Sequence, residues 1–129
     1  MNYVSFEEIL DLVDGTEDKR LYEPIGEKNY FVNISAKDHT SELIAESHTY
    51  EDDIYIVKEG EADLYLGGEI FGSKEVTDGQ LRGTNLVGDI TKQRIYPGDM
   101  VFIPATTPHM LDARNDTIKL VVVKIIKKA

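Results

Sequence analysis

Pro97-Gly98-Asp99-Met100-Val101-Phe102-Ile103-Pro104-Ala105-Thr106-Thr107-Pro108-His109 is the stretch whose reading decides the fold. Pro-Gly-Asp is a turn sequence, because proline presets its own backbone angle and glycine adopts angles other residues avoid. Met100 through Ile103 is a short apolar run of strand type. Pro104 and Pro108 restrict the backbone on both sides of the next three residues. The chain itself therefore fixes how His109 enters the strand that follows.

Further back lies a second informative stretch, Glu46-Ser47-His48-Thr49-Tyr50-Glu51-Asp52-Asp53-Ile54-Tyr55-Ile56-Val57-Lys58-Glu59-Gly60. Glu46 and His48 are two apart in a strand-like segment, so alternation points both to one face, with Ile44 before them and Tyr50 after. Asp53 follows a short turn at the mouth of the next strand and shares a face with Tyr55 and Val57. If the two strands pair as a hairpin, Glu46, His48 and Asp53 converge. Two imidazoles with carboxylate make the usual set for a non-haem iron site, and the same nitrogen and oxygen donors suit Mn, Ni, Co or Zn. The competing reading of the two acids is that they are solvated residues beside a turn.

Around these stretches the chain reads as all-β from Asn29 onward. Residues 30–34, 43–46, 54–57, 62–66 and 118–126 are strand-like, with turn signals at Gly60, Gly67-Gly68 and Pro97-Gly98-Asp99. Gly67-Gly68 reads as a hairpin turn and not as a phosphate loop, because no helix follows it. The glycine-dotted stretch from Ile70 to Asp89 reads as a long excursion between barrel halves. Ahead of the strands, Ser5 with Glu8 makes a capping pattern, and Phe6, Ile9, Leu10 and Val13 lie at helical spacing. One domain over 1–129 is expected, with helix and loop in 1–27 and a β-barrel in 28–129.

The two quoted stretches resemble the two motifs of the cupin superfamily, and the chain looks like a small single-domain member of it with a conserved barrel. Asp53 to Gly60 matches the spacing of the first motif. The second motif is matched by the Gly-Asp turn, the apolar run, the proline and His109. The resemblance implies an all-β jelly-roll barrel, here with a short N-terminal α-helix, that holds a metal through Glu46, His48, Asp53 and His109. It departs from the family pattern in having Glu46 where a histidine is usual and Asp53 where a glutamate is usual. Fewer imidazoles favour harder ions such as Mn or Fe(II). Asp53, one methylene short, either ligates directly, ligates through water or falls short. The resemblance also implies a homodimer.

Composition narrows the partners. The 129 residues carry 24 acidic and 14 basic side chains, a net charge of −10, and no cysteine. Such a field repels nucleic acid. No basic-then-apolar leader and no run of apolar residues long enough for a membrane helix is seen, so a cytoplasmic protein with no membrane partner is expected. Lys124, Lys127 and Lys128 read as a solvated tail.

Candidate lining residues are Tyr50, Tyr55 and Phe102, with Met110 and Leu111; a plain core role competes for each. Arg82 can reach over the barrel mouth toward a substrate carboxylate, against a plainer reading as a solvated arginine. Two functions fit. The first is a mononuclear metalloenzyme of oxygenase, isomerase or lyase type that uses one divalent transition metal on a small polar metabolite. The second is a non-catalytic module that binds a small molecule such as a sugar without an essential metal. Two carboxylates inside a barrel favour the first, because they are expensive there without a cation.

Overall fold

The computed structural model describes residues 5, 8, 18–22 and 29–127. Eleven strands run through them: β1 (Asp18–Tyr22), β2 (Tyr30–Lys37), β3 (Ala45–His48), β4 (Glu51–Gly60), β5 (Ala62–Phe71), β6 (Lys74–Thr77), β7 (Gln80–Gly83), β8 (Asn85–Ile95), β9 (Met100–Ile103), β10 (His109–Asp112) and β11 (Ile118–Ile126). They form two antiparallel sheets, one ordered β1-β2-β11-β4-β9 and the other β6-β7-β3-β10-β5-β8. The inner faces of the two sheets pack on each other in the jelly-roll manner.

Alternation sorts each strand into an inner and an outer face. Inward positions of β4 run Val57, Tyr55, Asp53, Glu51, and those of β11 run Leu120, Val122, Lys124. Apolar side chains thus fill one end of the barrel and polar ones line the other. The apolar end holds Val57, Leu64, Ile95, Ile103, Ile118 and Leu120, all essentially inaccessible. Each such aliphatic side chain contributes about 1.5–3 kcal/mol by leaving water. That packed end lets the other end stay open.

Several expectations are corrected here. The stretch 70–89 is not an irregular excursion. β5 continues to Phe71, and β6, β7 and the start of β8 are regular strands. Gly67-Gly68 is not a turn either. Both glycines have positive φ and sit mid-strand, where the pairing of β5 with β8 slips by one residue, so they form a bulge rather than an end. β1 lies ahead of the expected barrel start at 28, as a charged edge strand on β2. Of the expected N-terminal helix, only Ser5 and Glu8 are described; Glu8 is helical and its N–H donates to Ser5 Oγ at 3.2 Å. The rest of that helix lies outside the described residues, as does Lys128. No helix among the described residues is long and apolar enough to cross a membrane.

Candidate metal centre

Strand register builds the polar end. Glu46 on β3 sits opposite His109 on β10 and opposite Arg82 on β7, while His48 sits opposite Gln80. In the other sheet Asp53 on β4 sits opposite Lys124 on β11. β3 and β4 therefore do not pair as a hairpin. The chain crosses between sheets at Thr49-Tyr50, and Asp53 meets the two histidines across the barrel interior.

The loop ahead of β10 is tied at three points. Thr106 has a positive φ of 71°, and its N–H donates to the His48 carbonyl at 2.8 Å. A non-glycine residue held so costs about 1–3 kcal/mol, which the flanking prolines and this bond sustain. The Ala105 N–H donates to Asp52 Oδ1 at 2.7 Å. The Thr107 carbonyl stands 3.0 Å from His109 Nδ1. A carbonyl only accepts, so Nδ1 carries a proton and Nε2 is the ring nitrogen turned into the barrel.

His48 reaches the same state by another route. Gln80 Nε2 donates to Glu51 Oε1 at 2.9 Å, which leaves Gln80 Oε1 facing His48 Nδ1 at 2.5 Å. His48 Nδ1 must donate, and its Nε2 also points inward. Such partners fix both tautomer and ring angle, as they do for histidines that bind metals.

Donor atoms of Glu46, His48 and His109 all lie within 4.8 Å of one another. Glu46 Oε1 is 3.7 Å from His48 Nε2 and 3.4 Å from His109 Nε2. Asp53 Oδ2 is 3.2 Å from His48 Nε2 and 3.8 Å from His109 Nε2. Two donors about 2.1 Å from one ion, at right to tetrahedral angles, stand roughly 3.0–3.5 Å apart. The spacings within Glu46, His48 and His109 fit with a small adjustment, while Asp53 faces both histidines from outside that group. His109 Nε2 and Asp53 Oδ2 are also buried without any hydrogen-bond partner, a costly state unless something else satisfies them.

The charges are shaped by burial against pairing. Burial opposes ionisation of Glu46, yet the neighbouring His109, His48 and Lys124 pull its carboxyl down to about 2. Burial likewise opposes the charge on Asp53, and His48 and Lys124 outweigh it, holding that carboxyl below its ordinary value. At His48, burial and Lys124 push downward while Asp53 and Glu46 push upward, and the net shift is upward. Tyr55, edge-on to His109 at 6.3 Å between ring centres, is driven well above the ordinary phenol range, first by burial and then by the nearby carboxylates. It is a neutral wall rather than a base.

Glu46, His48 and His109 line a cavity of about 400 Å³. Tyr55, Leu111 and Arg82 line it, and Arg82 Nε lies 3.7 Å from Glu46 Oε2 at the exposed rim. Three expected lining residues are elsewhere. Phe102 is 55% exposed; its neighbour Ile103 takes the inward position, so alternation turns Phe102 to the outer face. Tyr50 is at the sheet crossing, where its ring packs on Gly79. Met110 faces outward into a small cluster with Ala45 and Leu86. Lys124 is not a solvated tail residue. Its Nζ lies 2.8 Å from Asp53 Oδ1, 3.2 Å from Glu51 Oε2 and 3.4 Å from His48 Nε2. Period-two counting along Leu120, Val122 and Lys124 would have found it. No comparable signal marked Gln80, which sat in the supposed excursion.

The sequence matches no protein-family model and no curated protein. Solved structures do match. An uncharacterized conserved protein with a double-stranded beta-helix domain from Klebsiella pneumoniae subsp. pneumoniae superposes with TM-score 0.65 at 14% identity, covering 100% of this chain and 93% of that one. A cupin protein from Bacteroides fragilis superposes with TM-score 0.51 at 14% identity, covering 78% of this chain and 69% of the other. The chain has the cupin fold. The DMSP lyase DddQ from Ruegeria pomeroyi shares this cupin fold, with TM-score 0.56 at 19% identity over 89% of this chain. The match covers 49% of that lyase, about half its length.

Proposed function

We propose that this cupin barrel holds one divalent transition metal through Glu46, His48, Asp53 and His109, and that it is a mononuclear metalloenzyme for a small polar metabolite. The observation that carries this reading is the pair of buried, unpartnered atoms, His109 Nε2 and Asp53 Oδ2, 3.8 Å apart beside Glu46 and His48. Charge supports it. Glu46, Glu51 and Asp53 face one ammonium, Lys124, leaving two negative charges in the inner cluster. Arg82 pairs with Glu46 at 3.7 Å but is half exposed, so water screens its compensation. A divalent ion is the complement.

When bound, such an ion would polarise a substrate oxygen or activate water or O2. The residues themselves do the rest. Thr107 and Gln80 hold the two imidazoles with lone pairs inward, Tyr55 closes the wall, and Arg82 stands at the mouth where an anionic substrate enters. The fold-sharing lyase supports an enzyme on this scaffold, though fold alone does not assign chemistry. The same reading takes the protein as a homodimer: Tyr30, Met100, Phe102 and Ile125 are exposed outside the five-stranded sheet, the kind of apolar surface a pair covers.

Elemental analysis of protein purified without chelator or a nickel column tests the centre. About one equivalent of Fe, Mn, Ni, Co or Zn is expected, and His48→Ala and His109→Ala should each lose most of it while staying folded. Full occupancy in both variants would overturn the site. Wild-type protein that takes up no metal would move the cavity to a metal-free binding role for a polyhydroxylated guest.

A further inference from the structure

An ammonium has three hydrogens to donate. Lys124 Nζ donates to Asp53 Oδ1 at 2.8 Å and is ion-paired with Glu51 Oε2 at 3.2 Å, both in partly buried surroundings. Its third polar neighbour is His48 Nε2, 3.4 Å away. That nitrogen is the donor atom a metal would take, and it has a single lone pair. Once the lone pair is given to an ion, Lys124 loses that acceptor, and beyond Asp53 and Glu51 no other is seen for it among the described residues. Lys124 lines the same cavity as Glu46, His48 and His109 and is only 15% exposed, so water screens it poorly.

We propose that Lys124 is a substrate-anchoring residue, whose ammonium takes an anionic oxygen of a small carboxylate-bearing substrate beside His48. This rests on the metal-centre reading above and deepens it by naming the substrate class. Asp53 and Glu51 hold the lysine in place. Gln80 links the same Glu51 to His48, so the anchor and the imidazole share one scaffold. Arg82 at the rim adds a second positive charge along the entry path.

The probe is glycolate, with glycolamide as its uncharged counterpart, titrated by calorimetry into Mn(II)-loaded protein. Wild type should prefer glycolate. Lys124→Met should weaken glycolate tenfold or more, the scale of one charge-assisted hydrogen bond, and leave glycolamide within twofold. It should still take up Mn(II), so that both ligands are compared on metal-loaded protein. Glu51→Gln with Lys124→Met removes one charge of each sign and serves if the single variant fails to fold. Equal weakening of both ligands would reduce Lys124 to a structural part and overturn the proposal, as would unchanged glycolate binding or a wild type with no preference. Failure of wild type to take up Mn(II) at all would remove the metal centre and this role together, an outcome distinct from a metal-loaded variant that still binds glycolate.

Discussion

Replacing Gln80 with leucine removes no metal donor, yet it should damage the centre. Gln80 Oε1 is the acceptor for His48 Nδ1, and its amide nitrogen is held by Glu51 Oε1 at 2.9 Å. In Gln80→Leu the His48 Nδ1–H is left in a largely buried place without an acceptor, at a cost of about 1–3 kcal/mol. The imidazole escapes part of that cost by moving its proton to Nε2, where Asp53 Oδ2 waits at 3.2 Å. That tautomer has no lone pair for an ion. Loss of such a supporting partner typically lowers metal affinity about 10–100-fold, which is about 1.4–2.7 kcal/mol. Mn(II) affinity, measured by competition with a chelating dye at fixed pH, should fall within that range. Glu51 keeps its Lys124 contact at 3.2 Å, so circular dichroism should show the fold intact. An affinity within threefold of wild type would show that something other than Gln80 orients His48, and the tautomer argument would fail.

Two further outcomes follow from the same geometry. At Gly60, φ is +75° and an added Cβ would stand 2.0 Å from the Thr117 carbonyl oxygen, so Gly60→Ala must shift backbone and not a side-chain tip. A loss of at least about 1–2 kcal/mol, from the left-handed conformation alone, should appear in urea melts, and a loss below that would mean the turn relaxes freely. The pH profile of the metal-free protein should have its maximum between about 4.5 and 6.5. The raised His48 contributes stability that is complete below its ordinary value of 6.5 and is lost as pH rises, whereas Glu46, lowered from 4.5 to about 2, contributes stability that is lost as pH falls below 4.5. Thermal melts that rise steadily from pH 6 to 8 without metal would contradict the placement of His48 between Asp53 and Glu46.

How much was legible depended on whether a residue's surroundings are local in sequence. The run 100–103 and the run 118–126 match β9 and β11 residue for residue, because an apolar stretch between turn residues carries its own period and its own ends. His109 was legible because Pro104 and Pro108 lie within five residues of it. Gly67-Gly68 misled because a glycine pair marks positive φ without saying whether the chain turns or only bulges. The partner strand, β8, decides that, and it is more than fifteen residues away. Asp53 was placed correctly on the face of Tyr55 but joined to Glu46 and His48 by the wrong pairing, since a short connection can close a hairpin or cross between sheets.

Lys124 shows where local reading stops. Counting by twos along β11 places it inward, but inward lysines are rare, and three lysines within five residues look like a tail. What holds Lys124 inside is Asp53, its cross-strand partner 71 residues earlier, together with Glu51. With no metal in the barrel, the two acids and the lysine depend on one another for charge compensation. A pairing of this kind leaves no mark on either segment alone. It also explains the departure at Asp53. An aspartate must serve the lysine with Oδ1 while its Oδ2 still faces His48 and His109, and the short side chain, pinned from behind, keeps that second oxygen pointed at the histidines.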